Sequence, residues 1–116
     1  MGDRAVVVFK SGHDFSPCVY VHWDGEHIPT LLMEAAPKMR KGDISYACAR
    51  FIGHLNDSIP GPLSLGVYNL SGDYRTENPG DAGVFLVDVD SGKVENYGGY
   101  KPSIDLASIT LQFAEV

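Results

Sequence analysis

Five side chains in this sequence could bind or move charge, and their spacing groups them. Tyr46, Arg50 and His54 stand at i, i+4 and i+8, one row along a helix. Arg4 precedes an apolar run at residues 5–9, and His22 falls in the alternating stretch 18–23, on the strand face that also carries Cys18 and Tyr20. Brought to one end of a sheet, Arg4, His22, Tyr46, Arg50 and His54 would hold an anionic ligand. Arginine forks would grip it, and an imidazole would shuttle protons near neutral pH. The competing reading pairs Arg50 with a carboxylate such as Asp3 or Asp43 and lets His22 donate to a backbone carbonyl. Ion-pair networks of that kind look like sites from sequence alone, so the structural reading carries more weight.

Other chemistries find less support. Of the four histidines (His13, His22, His27, His54), His22 shares a strand face with Cys18. Four strand residues separate the two by roughly 13 Å, too far for one zinc ion. Residues 88–92, Asp-Val-Asp-Ser-Gly, superficially suggest a calcium loop, but the glycine falls one position early and no acid occupies position twelve, so a hairpin turn fits better. The sequence contains no H-E-x-x-H, G-x-S-x-G, Walker phosphate loop or strand-following G-x-G-x-x-G. No catalytic residue, metal or cofactor is therefore assigned. Cys18 and Cys48 belong to no C-x-x-C pair and read as small buried apolar residues.

Charge narrows the partners. Nine Lys and Arg against fifteen Asp and Glu give a net charge of −6. The excess is concentrated after residue 70, where three basic residues face eight acidic ones. The one basic cluster, Lys38, Arg40 and Lys41, falls where a helix should end, and the negative pole of that helix accounts for it without nucleic acid. Asp73, Glu77, Asp81, Asp88 and Asp90 are too dispersed to mimic DNA and read as a solvated face. The longest apolar run, residues 5–9, is far short of the roughly 20 residues that cross a bilayer, so a cytoplasmic protein with no membrane contact is expected.

Elements that must position these residues follow from periodicity and punctuation. The 116 residues suit one domain spanning 1–116. Strands are expected at 5–9 and 18–23, with a turn at Asp24 and Gly25. Ile28, Leu31, Leu32, Ala35 and Met39 then follow a helical period opened by Pro29 and ended near Ala36 by Pro37. Asp43 caps a second helix whose apolar stripe is Ile44, Ala47, Cys48, Phe51, Ile52 and Leu55, closed by residues 57–62. Strands follow at 63–70, where Gly66 suggests a bulge or close backbone approach, and at 83–90 and 93–97, joined through Ser91 and Gly92. The tail reads either as a short helix at 104–107 or as an edge strand through Ile109, Leu111 and Phe113. The order ββααβββ plus tail predicts an α+β fold: a mainly antiparallel sheet of about five strands with two consecutive helices on one face.

Two loops, 10–17 and 71–82, present Phe15, Tyr74 and Arg75, residue types that dominate protein interfaces. An interaction module with an unidentified protein partner is accordingly the first functional expectation. Anionic-ligand binding or a small enzyme is the second, and an exposed final strand would also permit a homodimer. Gly2-Asp3-Arg4-Ala5 leading into a β run, Tyr20-x-His22-Trp23-x-Gly25 followed by Pro29 and a helix, and Tyr46-x-x-x-Arg50 together resemble an uncharacterised group of small bacterial and phage-associated proteins. The resemblance covers the first half and, more weakly, the hairpin near Asp88. It implies no catalytic role. A phage or mobile-element context, in which small proteins act by binding host machinery, is its functional implication.

Overall fold

A computed structural model describes residues 2–58 and 64–114. Its centre is set by two apolar runs that do not alternate. Strands β1 (Ala5–Ser11) and β5 (Gly83–Asp88) lie side by side in parallel, Ala5 opposite Gly83 and Phe9 opposite Val87. Residues 5–9 and 83–87 are all buried, as expected for strands covered on both faces. Every other strand pairing among the described residues is antiparallel, and an isolated parallel bridge joins Arg40 to Ala114. A two-residue strand β2 (Asp14–Phe15) folds back on β1 through Gly12, at φ 59°, and β3 (Cys18–Val21) continues along the same edge of β1, opposite the edge that β5 occupies. β4 (Leu65–Tyr68) pairs with β3, and β6 (Val94–Tyr97) with β5, so the order is β4-β3-β1-β5-β6. The fold is α+β, as the sequence pattern predicts. The parallel central pair and the β2 hairpin are the additions.

The helices cover one face. α1 (Ile28–Ala35) buries Ile28, Leu31, Leu32 and Ala35, and at Pro37 it gives way to a tight turn at Ala36–Lys38, because proline lacks the N–H needed to continue. α2 (Ile44–Ser58) is capped by Asp43, whose carboxylate accepts the Tyr46 backbone N–H at 2.9 Å. Ala47, Cys48, Phe51 and Leu55 turn inward from α2 onto Ala5, Val7, Phe9, Val19, Val21, Phe85 and Val87 of the sheet. Phe51 meets Phe9 edge to face at 5.8 Å. The other face carries Val6, Val8, Cys18, Val84 and Leu86. No helix covers it. Leu70 and Tyr74 from the loop 69–82 fold over it instead, beside Tyr20 and Tyr97.

Three local expectations change. Residues 10–16, read as a polar connection, are strand and turn, locked by the buried Ser16. Its hydroxyl accepts the Phe9 N–H at 2.9 Å and donates to the Pro17 carbonyl at 2.8 Å. The tail is neither a full helix nor an edge strand. It makes one tight turn at Leu106–Ser108 and continues irregularly, with Leu111 buried and Ile109 and Phe113 packed on the helix-side core. Their alternation thus reflects inward packing, with single backbone bonds from the Leu111 N–H to the Gly92 carbonyl (2.8 Å) and from the Ala114 N–H to the Met39 carbonyl (3.0 Å) in place of a continuous ladder. The expected closure at 59–62 and the start of the strand at 63 lie outside the described residues.

Gly66 forms no bulge. It sits opposite Tyr20 in regular register, and a Cβ there would meet nothing within 4 Å. Gly83 is its opposite. At φ 81°, a Cβ would press into the Tyr97 carbonyl oxygen and the Gly99 backbone. Gly66→Ala is therefore expected to raise stability by about 0.5–1 kcal/mol, through lost freedom of the unfolded chain. Gly83→Ala should lower it by about 2 kcal/mol or more through strain and overlap. Equilibrium denaturant unfolding of the two variants distinguishes these signs.

Candidate functional site

The side chains singled out in the sequence fall into separate groups around the sheet. Arg4 enters β1 on the face away from the helices, and both its backbone N–H (3.0 Å) and its Nε (2.8 Å) donate to Asp81 Oδ2. The Ala82 N–H donates back to the Arg4 carbonyl at 2.8 Å, so this pair fastens the end of the 69–82 loop where it enters β5. The Arg4 hydrogen bond holds the Asp81 carboxyl below the usual carboxylate range. His22 lies on the same face. Its Nδ1 is 2.9 Å from the Tyr20 hydroxyl, and its ring meets Trp23 edge to face at 4.6 Å. Its partner is thus a phenol, where a backbone carbonyl was expected.

Tyr46, Arg50 and His54 do form one row on α2, but α2 packs on the opposite sheet face. The five residues expected to converge are therefore divided by the sheet. His54 ties the helices together, its Nε2 3.1 Å from Glu34 Oε1 on α1 and 3.3 Å from Ser58 Oγ. Arg50 turns to Tyr46, donating from Nη2 to the phenol oxygen with its guanidinium carbon 4.6 Å from the ring centre. Neither Asp3 nor Asp43 receives it: Asp3 accepts the Glu26 N–H and the Tyr100 hydroxyl, and Asp43 caps α2. Arg40 approaches the same ring at 4.2 Å. Lys38 does fall in the last turn after α1, as the helix-end account expects, whereas this contact draws Arg40 to the start of α2.

Phe15, Tyr74 and Arg75, by contrast, come together. Phe15 and Tyr74 have ring centres 5.6 Å apart, and Tyr74 meets Tyr97 of β6 edge to face at 5.5 Å. Arg75 lies with its guanidinium carbon 5.6 Å from the Tyr74 ring, and its Nη2 donates to Asp73 at 2.8 Å. The Asp73 side chain also accepts the Arg75 N–H at 2.9 Å, which orders the tight turn Tyr74–Glu77. The product is a row of three rings crossing the sheet face that lacks helices. Phe15 is 39% exposed, and Tyr74 and Tyr97 are half-buried. Tyr97 donates to Glu95 at 2.9 Å; burial, then this carboxylate, raises its phenol pKa.

Sequence reasoning missed Tyr97, Asp81 and a polar group at the near edge of the sheet. There Cys18 Sγ lies 3.8 Å from Glu77 Oε2, and Tyr68 stands opposite Cys18 in β4. Burial, then the Glu77 charge, pushes the Cys18 thiol up to about 11, and burial also raises the Cys48 thiol. Both sulfurs keep their protons at neutral pH, which is the wrong state for a nucleophile. Tyr97 was legible in principle, as it shares a strand face with Glu95 two residues earlier.

No family model, curated protein or solved structure matches the chain.

Two measurements check this geometry. Because the Asp81 carboxyl is held low in the folded protein, its contribution is complete above the ordinary carboxylate range and vanishes as pH falls through the lowered value. The Tm difference between wild type and Asp81→Asn should accordingly shrink below about pH 4. Cys18 is fully buried and Cys48 6% exposed, so both thiols should resist a disulfide reagent at pH 8 in native buffer and react fully once the chain is denatured.

Proposed function

We propose that the protein is a small non-catalytic interaction module, and that Phe15, Tyr74 and Tyr97 with Arg75 form its contact surface. The observation that carries this reading is the unbroken contact of the three rings across the sheet face without helices. Rings braced by one another lose little freedom when a partner covers them, and aromatic and arginine side chains supply most interface energy. The setting favours a partner segment bearing Lys or Arg. Asp73, Glu77 and Glu95 border the row, Arg75 is already engaged by Asp73, and the region after residue 70 is strongly acidic. The resemblance to small phage-associated proteins agrees with action by binding.

The anionic-ligand alternative on Arg4, His22, Tyr46, Arg50 and His54 loses support as one site, because the sheet separates its members and Arg4 is engaged by Asp81. Self-association through a final strand also loses support, since among the described residues the tail pairs through an isolated bridge at Ala114 and no strand. The sheet edge that stands open among the described residues is β4, where Val67 is 52% exposed; residues 101–107 run beside β6.

The test is selection from a displayed random-peptide library, followed by titration of the winning peptides. Enrichment of Lys and Arg beside apolar residues is expected, with affinity falling as salt rises. Tyr74→Ala should weaken binding by about 30-fold, the range of an interface hot spot, and Phe15→Ala by less. Binding left intact in both folded variants would defeat the proposal.

A further inference from the structure

We infer that Arg40, Tyr46 and Arg50 form a second binding site, independent of the aromatic row, that grips a compact phosphoryl-type anion. Two cationic groups from different elements meet on one ring. Arg40 comes from the connection after α1 and Arg50 from the second turn of α2, with guanidinium carbons 4.2 and 4.6 Å from the Tyr46 ring centre. The two carbons can be no further apart than those distances laid end to end, so a pair of like charges is held at close quarters. The Tyr46 ring offsets part of the repulsion, since its face attracts cations. It also fixes the position of both planar groups before any ligand arrives.

The donors of this pair are largely unspent. A guanidinium offers five N–H donors. One from Arg50 goes to the Tyr46 hydroxyl, and among the described residues neither arginine forms an ion pair with a carboxylate. Both side chains belong to exposed residues. The local charge points the same way. Residues 38–50 hold Lys38, Arg40, Lys41 and Arg50 against the single acid Asp43, whose carboxylate is occupied with the Tyr46 N–H. The rest of the chain is acidic, and one of its acids, Asp90, comes up to Gly42 on the Lys41 side of the cluster, while no carboxylate among the described residues pairs with Arg40 or Arg50. Arg40 and Lys41 stand beside the N-terminal end of α2, whose positive pole the capping Asp43 carboxylate offsets.

The ligand chemistry follows from the donors. Paired guanidiniums match the tetrahedral oxygens of a phosphoryl group through bidentate hydrogen bonds, better than a lysine point charge would. A compact anion fits and an extended polyanion does not. Four cations cover a short stretch, and a nucleic-acid backbone running beyond them would meet the acidic remainder of a chain with net charge −6. A phosphoryl group can arrive on a free polyphosphate or on a phosphorylated side chain of a polypeptide, and the two sources share the same headgroup chemistry.

The experiment is an NMR titration of the 15N-labelled protein with pyrophosphate, with a phosphoserine peptide and its unphosphorylated twin, and with a single-stranded oligonucleotide. Saturable shifts confined to residues 38–50 are expected with pyrophosphate or with the phosphopeptide; whichever binds more tightly identifies the source. Arg50→Gln and Arg40→Gln should each weaken binding by about tenfold. Tyr46→Phe, which keeps the ring, should retain most of the affinity that Tyr46→Leu loses. Unchanged native spectra in the arginine variants separate loss of binding from loss of fold. Shifts spread over Arg75, Lys93 and Lys101, affinity indifferent to Arg50→Gln, equal binding of both peptides without a pyrophosphate response, or tightest binding to the oligonucleotide would each overturn the inference.

Discussion

The parallel contact between β1 and β5 constrains everything else in this molecule. Residues 5–9 and 83–87 are apolar and fully enclosed, so the sheet must be covered twice. Two helices suffice for one face. Among the described residues the loop 69–82 covers the second face, and Leu70 and Tyr74 are the side chains it contributes. Burial of Val6, Val8, Val84 and Leu86 thus requires the loop to be ordered, and the Arg4 and Asp81 pair holds its far end.

This requirement explains where the aromatic row comes from. Tyr74 is needed as a cover, yet a loop is a thinner layer than a helix and leaves its outer side open to solvent. Phe15 lies level with Lys10 and Tyr97 level with Val84 and Val6, toward opposite ends of β1, and the Tyr74 ring bridges the gap between them. Structural need and recognition therefore use the same residue at Tyr74, whereas the arginine pair on Tyr46 has no part in the core. Arg40 and Arg50 lie outside the α2 contact with the sheet and pack on the Tyr46 ring, with the Arg40 backbone bridged to Ala114.

Much of the architecture was legible from local rules. The helical periods of Ile28 to Met39 and Ile44 to Leu55, the stop at Pro37 and the cap at Asp43 all rest on interactions within a few residues, and all appear in the fold. Phe15, Tyr74 and Arg75 were legible by residue type, and their contact followed from the loop folding inward. What escaped was long-range. Nothing near Arg4 in sequence announces Asp81, and nothing near Tyr46 announces Arg40, which lies outside the helix and has no fixed period relative to it. The supposed convergence of Arg4 and His22 with Tyr46 and Arg50 failed for one reason. Strand alternation places residues on a face, but the choice of which face the helices cover is made by the whole sheet.

The central pairing also governs when the fold can form. Ala5 finds its partner Gly83 most of the chain's length later, across two α-helices and three intervening strands. Closing that distance costs entropy before any contact repays it, so the sheet centre belongs to the slow, non-local class of assembly. During synthesis, the N-terminal strand emerges first and waits with its β5 edge unpaired until residues 83–88 follow. Until then an apolar, β-branched strand has an open edge, and the interval between the two events is the period when this chain most needs to be shielded from pairing with its neighbours.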